Sequence, residues 1–415
     1  MSTVSLSSLN VATPSACSLS NNLVTFASES DADSATRPLS THLTSASEAT
    51  RSVFLTMQSV RMILPVDLRT DTELCQKLFR TVHMIEKLVD EGLFRSNGMS
   101  EHAATDSTLS YVMAVQGKHR IAMFPWLSKS HYEGVYKQMR RSWNVTTHCP
   151  VAALQASVGY IRGLEREYHL YLGLYEKCSL RLPEPQGLLR FSTSAILLLE
   201  LFDDDLLHLT RDQHISSRAL LDITVQLAEG VYMLHNEQIV HRELGVENIL
   251  VKDGRVVLGS LSLCQTTDIE AKSIGTAFAL PPEMLFACAV FKTAGRAFPV
   301  FSRNLLEADI WAIGMIFLHL ITREKSRSRM AVCIEKLLDR PLNAGGLIFY
   351  ERQMHRCILE CIDEIPSDWD NSSLIRRLLQ ITRSTLAFDP AKRPTAEWIF
   401  NQLMQIRETT LSTRE

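Results

Sequence analysis

The chain is 415 residues long, 46% hydrophobic and 21% charged, which leaves room for one large or two modest folded domains. Forty-three Lys plus Arg stand against 46 Asp plus Glu, a formal charge of -3, so no global basic field draws nucleic acid or anionic lipid. The longest apolar run, Ile310 to Thr322, is broken by Gly314 and His319 and falls short of the roughly 20 residues a membrane-spanning helix needs, so no transmembrane segment is expected.

Residues 1–50 are rich in Ser and Thr and poor in large apolar groups. Such a composition does not repay the entropy of ordering, and disorder is expected there. No positively charged start followed by an apolar core marks a secretory signal peptide. Residues 51–83 turn amphipathic, with Leu, Val, Met and Ile at helical intervals, and are expected to form a helical extension. Its apolar face has two readings: packing on the domain that follows, or peripheral contact with a membrane through residues 53–85. Residues 84–127 alternate short apolar runs with turn signals, as antiparallel strands do, ending in the run Arg120–Trp126. A helix is expected from Ala152 to Cys178 and a strand from Ala195 to Glu200. Helical periodicity dominates afterwards, over Ala219–Asn236, Leu306–Thr322, Ser328–Leu338 and Ser373–Leu386, with a hairpin signal at Lys252–Arg255. The expected fold is α+β and bilobal. A small β-rich N-lobe spans about 84–200, a larger helical C-lobe about 201–405, and 406–415 forms a tail. Nine cysteines are scattered without a CxxC pair, which argues against zinc; Cys357 and Cys361 are expected to pack in a core.

Four segments of the second lobe carry chemistry, in a fixed order. They run from Val240 to Leu250 (with His241, Arg242, Glu243 and Asn248), from Val256 to Ser262, from Leu280 to Glu283, and from Asp309 to Gly314, with Asp389–Thr395 behind them. Their order and spacing resemble the protein kinase fold: catalytic loop, strand pair leading to a metal-binding turn, end of the activation segment, buried central helix and its late Arg. The resemblance covers roughly residues 80–405. It implies a catalytic role for Glu243 and a metal-binding role for Asn248, which lie five apart. It also implies a buried ion pair between Glu283 and Arg393, and support of the catalytic-loop backbone (His241, Arg242) by Asp309; these roles are structural.

The departures weigh more than the matches. Kinases place an Asp in the turn after the hairpin to bind Mg²⁺, and this chain has Ser260, a neutral hydroxyl where a hard cation recruits carboxylates. At the base position Glu243 replaces Asp, displacing the carboxylate by a methylene, and placement errors near 1 Å can cost about a hundredfold in rate. The loop lysine is replaced by Gly245. In the first lobe the phosphate loop is expected at Asp90–Met99, where only Gly92 and Gly98 remain, and the strand Arg120–Trp126 carries no phosphate-gripping lysine. Lys118 precedes that strand and Lys129 and Lys137 follow it; Lys118 or Lys129 reaches in only in another register, ordinary solvated lysines are expected, and Glu165 or Glu167 would be the orphaned partner acid. Gly92, Leu199 and Leu201 are the nucleotide-binding candidates, the last two for adenine at the hinge.

Within kinases, the stretch 252–259, the segment 274–283 and the gap of 26 positions between Glu283 and Asp309, with Phe298–Phe301 ahead of the central helix, resemble the rhoptry kinase and pseudokinase family secreted by apicomplexan parasites. That resemblance implies secretion to the rhoptry or parasitophorous vacuole. It also implies a protein partner, either another kinase or a host factor, and no nucleic acid. The resulting expectation is a pseudokinase that binds or allosterically regulates its partner, with ATP as the implied cofactor and weak or no Mg²⁺ dependence. The alternative is an active or weakly active ATP-dependent Ser/Thr protein kinase using Glu243 and Asn248.

Overall fold

Apolar residues at helical spacing organise the start of the fold. The computed structural model describes residues 55–127, 137–212, 215–267, 280–284, 305–323, 346–363 and 372–412, with single positions 332, 365, 367 and 369. The expectations for residues 1–50, Lys129, Phe298–Phe301 and the helix 328–338 therefore lie outside the described residues. Helix α1 (Met57–Arg61) begins at a capping box between Thr56 and Ser59. Helix α2 (Thr72–Asp90) is capped by Asp71, whose carboxylate accepts from the Leu74 N–H at 2.9 Å. Val60, Ile63, Leu64, Cys75, Leu78, Val82 and Ile85 are buried from this extension. They pack against Tyr111, Met113, Phe124 and Trp143 of the sheet. The face that a membrane would have taken is thus covered by protein, which corrects the expectation of membrane contact through 53–85. Helix α2 also runs across the expected 83/84 boundary, so extension and first lobe share one core.

The first lobe is a seven-stranded sheet, β1 (Gly98–His102), β2 (Tyr111–Gln116), β3 (His119–Met123), β4 (Lys137–Asn144), β5 (Cys149–Ser157), β6 (Pro185–Arg190) and β7 (Ser194–Glu200). Its order is β1-β2-β3-β4-β5-β7-β6, antiparallel throughout. Helix α3 (Ile161–Cys178) joins β5 to β6. The helix expected from Ala152 therefore starts nine residues late, and residues 149–157 are a strand. The physical reason is burial on both faces. Val151 and Ala153 pack with Leu189, Ile196 and Leu198, while Ala152 and Ala156 face Leu164 and Leu174 of α3. A strand covered on both sides loses its alternation and is rich in small apolar residues, like a helix.

The second lobe opens with β8 (Asp204–Asp205), α4 (Leu206–Asp212) and α5 (Ser217–Asn236). Strands β9 (Ile239–Val240), β10 (Ile249–Lys252), β11 (Arg255–Leu258) and β12 (Gln265–Thr266) follow. The β10–β11 hairpin turns at Asp253 and Gly254, both left-handed (φ 49° and 75°), the conformation a two-residue hairpin turn requires. Helices α6 (Leu305–Thr322), α7 (Gly346–Asp363), α8 (Ser372–Thr385) and α9 (Ala396–Ser412) complete the lobe. Helix α6 is its centre, with Ile310, Trp311, Ile313, Met315 and Phe317 buried. Gly314 lets it approach α8, because a Cβ there would sit 2.3 Å from Thr385 Oγ1. The two-lobed α+β architecture expected from the sequence is the one observed, and Cys357 and Cys361 do pack in an apolar cluster with Met354 and Ile358.

Candidate functional site

Between the lobes, β4, α3, the loop after β9 and the turn after β11 converge on a chain of charged and hydroxyl groups. Lys137, at the start of β4, donates from Nζ to both Glu167 carboxylate oxygens at 2.8 Å. Glu167 lies on the inner face of α3 with its side chain 1% exposed. The same Nζ lies 3.5 Å from Ser260 Oγ. An ammonium has three protons, and these three contacts use them. Ser260 Oγ in turn donates to Glu243 Oε2 at 2.8 Å, and Ser262 Oγ donates to the same oxygen at 2.9 Å.

This arrangement corrects the first-lobe reading. The strand preceding α3 is β5, which carries no lysine, and Lys137 reaches in from the neighbouring strand. Lys137 is not an ordinary solvated lysine, and Glu167 is not a surface carboxylate; Glu165 is the outward one, paired with Arg190 at 2.8 Å. The mistaken helix over 152–160 shifted the whole strand count by one hairpin. Had Cys149–Ser157 been taken as the strand before α3, the lysine search would have moved to its partner strand, which starts at Lys137.

Gly92 is also corrected. It follows the end of α2 and precedes β1, the outermost strand of the sheet, four strands from β5. Its left-handed φ of 86° serves that turn, where a Cβ would collide with Arg95. Residues 128–136, between β3 and β4, lie outside the described residues. At the hinge, Leu199 and Leu201 are buried in the main apolar cluster. The Leu201 carbonyl accepts from Lys252 Nζ at 3.2 Å. Arg141, buried, donates to the carbonyls of Phe202 (3.2 Å) and Asp203 (2.6 Å), and also to that of Ile63 in the extension (3.4 Å). Arg69 of the extension pairs with the Asp203 carboxylate at 2.5 Å. The carbonyls of 201–203 thus already have protein donors.

The loop residues are held from below. Asp309 on α6 accepts the backbone N–H of His241 (2.7 Å) and of Arg242 (2.9 Å), and His235 Nε2 lies 3.1 Å away. The Glu243 N–H donates to His241 Nδ1 at 3.2 Å, so His241 Nε2 carries the proton and donates to the Gly259 carbonyl at 2.9 Å. Burial pushes the His241 pKa down, which keeps the ring neutral, as this tautomer needs. Asn248 Nδ2 donates to the Glu243 carbonyl at 2.8 Å. Arg393 forks onto both Glu283 oxygens at 2.7 and 2.8 Å, and its guanidinium lies over the Trp311 ring.

Glu243 is 9% exposed. Burial holds its carboxyl above the usual range, against the pull of Lys137 and the Ser260 and Ser262 hydroxyls. Ser260 itself sits at φ 56°, ψ 71°, a left-handed conformation that costs a serine on the order of 1–3 kcal/mol and is kept only where surroundings enforce it. Tyr171 on α3 is fully buried, and its hydroxyl makes no hydrogen bond among the described residues.

These residues do not fit a magnesium ion. Among the described residues the turn offers a hydroxyl whose oxygen faces an ammonium, and the carboxylates beside it are already taken, Glu243 by two hydroxyls and Glu167 by Lys137. Magnesium demands about six hard oxygen ligands and usually at least one free carboxylate. Among the described residues, a second acidic group, Asp204, Asp205 and His208, gathers at the start of α4, closed on itself by Asp205–His208 hydrogen bonds.

Comparison with known proteins agrees with the two-lobed fold. The protein kinase domain model matches residues 184–404, more than half of the chain. The chain is 25% identical over 217 residues to mitogen-activated protein kinase 4a of Physcomitrium patens, covering 48% of the chain and 53% of that protein. It is 31% identical over 211 residues to the liver/testis phosphorylase b kinase gamma catalytic chain of Bos taurus, covering 48% and 42%. It is 26% identical over 215 residues to cyclin-dependent kinase 7 of Caenorhabditis elegans, covering 49% and 61%. The chain spans about half the length of the curated relatives it matches.

Proposed function

The chain belongs to the protein kinase domain family, and from that premise we propose that it is a pseudokinase, acting by binding or allosterically regulating a partner protein. One observation carries this reading. The Glu243 carboxylate, which should face a substrate hydroxyl, is folded into the turn onto Ser260 and Ser262, and that turn has no carboxylate of its own. A general base must present its oxygen to the proton it takes. Here both hydroxyl donors lie inside the protein.

Any nucleotide bound in this cleft would meet Lys137 through its phosphates and a hinge whose carbonyls at 201–203 already have donors. Its dependence on Mg²⁺ is therefore weak or absent in this reading. The finer resemblance to the apicomplexan rhoptry family supports a secreted regulator whose partner is another kinase or a host factor. It rests on residues 252–259, on 274–283 and on the spacing to Asp309.

A second reading has its own support. The Lys137–Glu167 pair is assembled, and the Asp309 support of the loop is complete, as a slow ATP-dependent Ser/Thr kinase using Glu243 and Asn248 would require. The test is transfer of γ-phosphate to a generic protein substrate with Mg²⁺. The expected result is no transfer above an Asn248→Ala control. Mg²⁺-dependent transfer that disappears in Glu243→Ala would establish the second reading.

A further inference from the structure

The donor set around Ser260 disagrees with the divalent cation its family uses, and the disagreement has a definite chemical form. We infer that the Lys137 ammonium is a resident cation, standing in the cleft for the absent metal and balancing Glu167 directly and Glu243 through the Ser260 hydroxyl. The inference rests on the pseudokinase reading and adds to it what fills the cation's place.

The proton order supports it. Two Lys137 protons go to Glu167, and the third points to Ser260 Oγ. Ser260 accepts there and passes its own proton to Glu243 Oε2, which Ser262 also bonds. Every donor in the chain faces an acceptor. A divalent ion on the Ser260 oxygen would displace the third ammonium proton and bring two positive charges within a few ångströms. The parent protein should therefore exclude it. Without Lys137 the picture reverses: two buried carboxylates and two hydroxyls form an oxygen-rich pocket with uncompensated negative charge. Hard cations bind such pockets. Glu167 is 1% exposed and Glu243 9%, so neither charge is relieved by solvent.

The experiment titrates Mn²⁺ alone, without nucleotide, into the full chain and follows bound metal by electron paramagnetic resonance. Lys137→Met should bind one equivalent at least roughly tenfold tighter than the parent. Lys137→Arg, which keeps the charge, should behave as the parent does, and Lys137→Met combined with Glu243→Gln should lose the gain. Equal, weak binding by Lys137→Met and parent would overturn the inference. So would one-equivalent binding in the parent that is lost in Glu243→Gln, a result that does not depend on the lysine variant folding. Because no nucleotide is present, failure here leaves the phosphotransfer result, and with it the pseudokinase reading, separately decided.

Discussion

Two buried polar clusters among the described residues lie one on each side of the catalytic loop, and they are built in opposite ways. Below the loop, Asp309 serves three donors, and Arg393 forks onto Glu283 while spending further protons on the carbonyls of Ala387 and Glu307. Each charge there has an opposite charge or a fixed set of amides in good geometry. Above the loop one ammonium serves Glu167 directly and Glu243 through a serine in a strained conformation. The lower cluster ties segments far apart in sequence, so it belongs to the fold whatever the chemistry. The upper cluster spans as many as 123 positions, but its members meet side chain to side chain, whereas the lower cluster also fixes backbone amides and carbonyls.

That contrast can be broken from either side. The largest effect is expected from Glu283→Ala, which leaves the Arg393 side chain, 0% exposed, without its carboxylate. Stability should fall by about 3–5 kcal/mol, the range for orphaning one member of a buried pair, read by urea unfolding. Asp309→Asn should come next, because the amide cannot accept from all three donors; a loss of roughly 1.5–3 kcal/mol is expected from weakened bonds to a charged acceptor. If the clusters differ as described, Ser260→Ala costs less than either, since Ser262 still bonds Glu243 and the hydroxyl's removal leaves no backbone orphan. A loss matching Asp309→Asn would erase the distinction.

The smallest effect is the most specific. Burial holds the folded-state pKa of Glu243 above its ordinary value, so the protonated form is favoured by folding. That stabilisation is complete below the unfolded pKa and is lost as pH rises through the folded one. Glu243→Gln mimics the protonated form at every pH. Its melting temperature should therefore exceed the parent's in mildly alkaline buffer, with the difference shrinking towards zero as pH falls below the ordinary carboxylate range. A difference that does not vary with pH would show that Glu243 is not the group that titrates.

The lower cluster was legible in the sequence because its members are the rigid spacing of the fold. Asp309 sits in an apolar helix, and Glu283 and Arg393 stand in short motifs whose order only one architecture explains. The hairpin at Asp253–Gly254 and the helices at 217, 305 and 372 were legible for similarly local reasons. The upper cluster was not. Lys137 shares no motif with Glu167, thirty positions later, and only the pairing of β4 with β5 joins them. That pairing was hidden because β5, covered on both faces, reads as a helix. Gly92 misled in the other direction: a left-handed glycine ending a helix looks, in sequence, like one cradling a phosphate. The role of the extension was half legible, since its amphipathic period is plain but the sheet that covers it is not.

The most direct test of a cleft in which an ammonium stands for the metal is thermal unfolding of the intact chain with saturating ATP, in Mg²⁺ and again in EDTA. Any stabilisation by ATP should be the same in both. A shift that needs Mg²⁺, approaching the roughly 2.7 kcal/mol expected at a hundredfold excess over the dissociation constant, and that is abolished by Asn248→Ala, would contradict it.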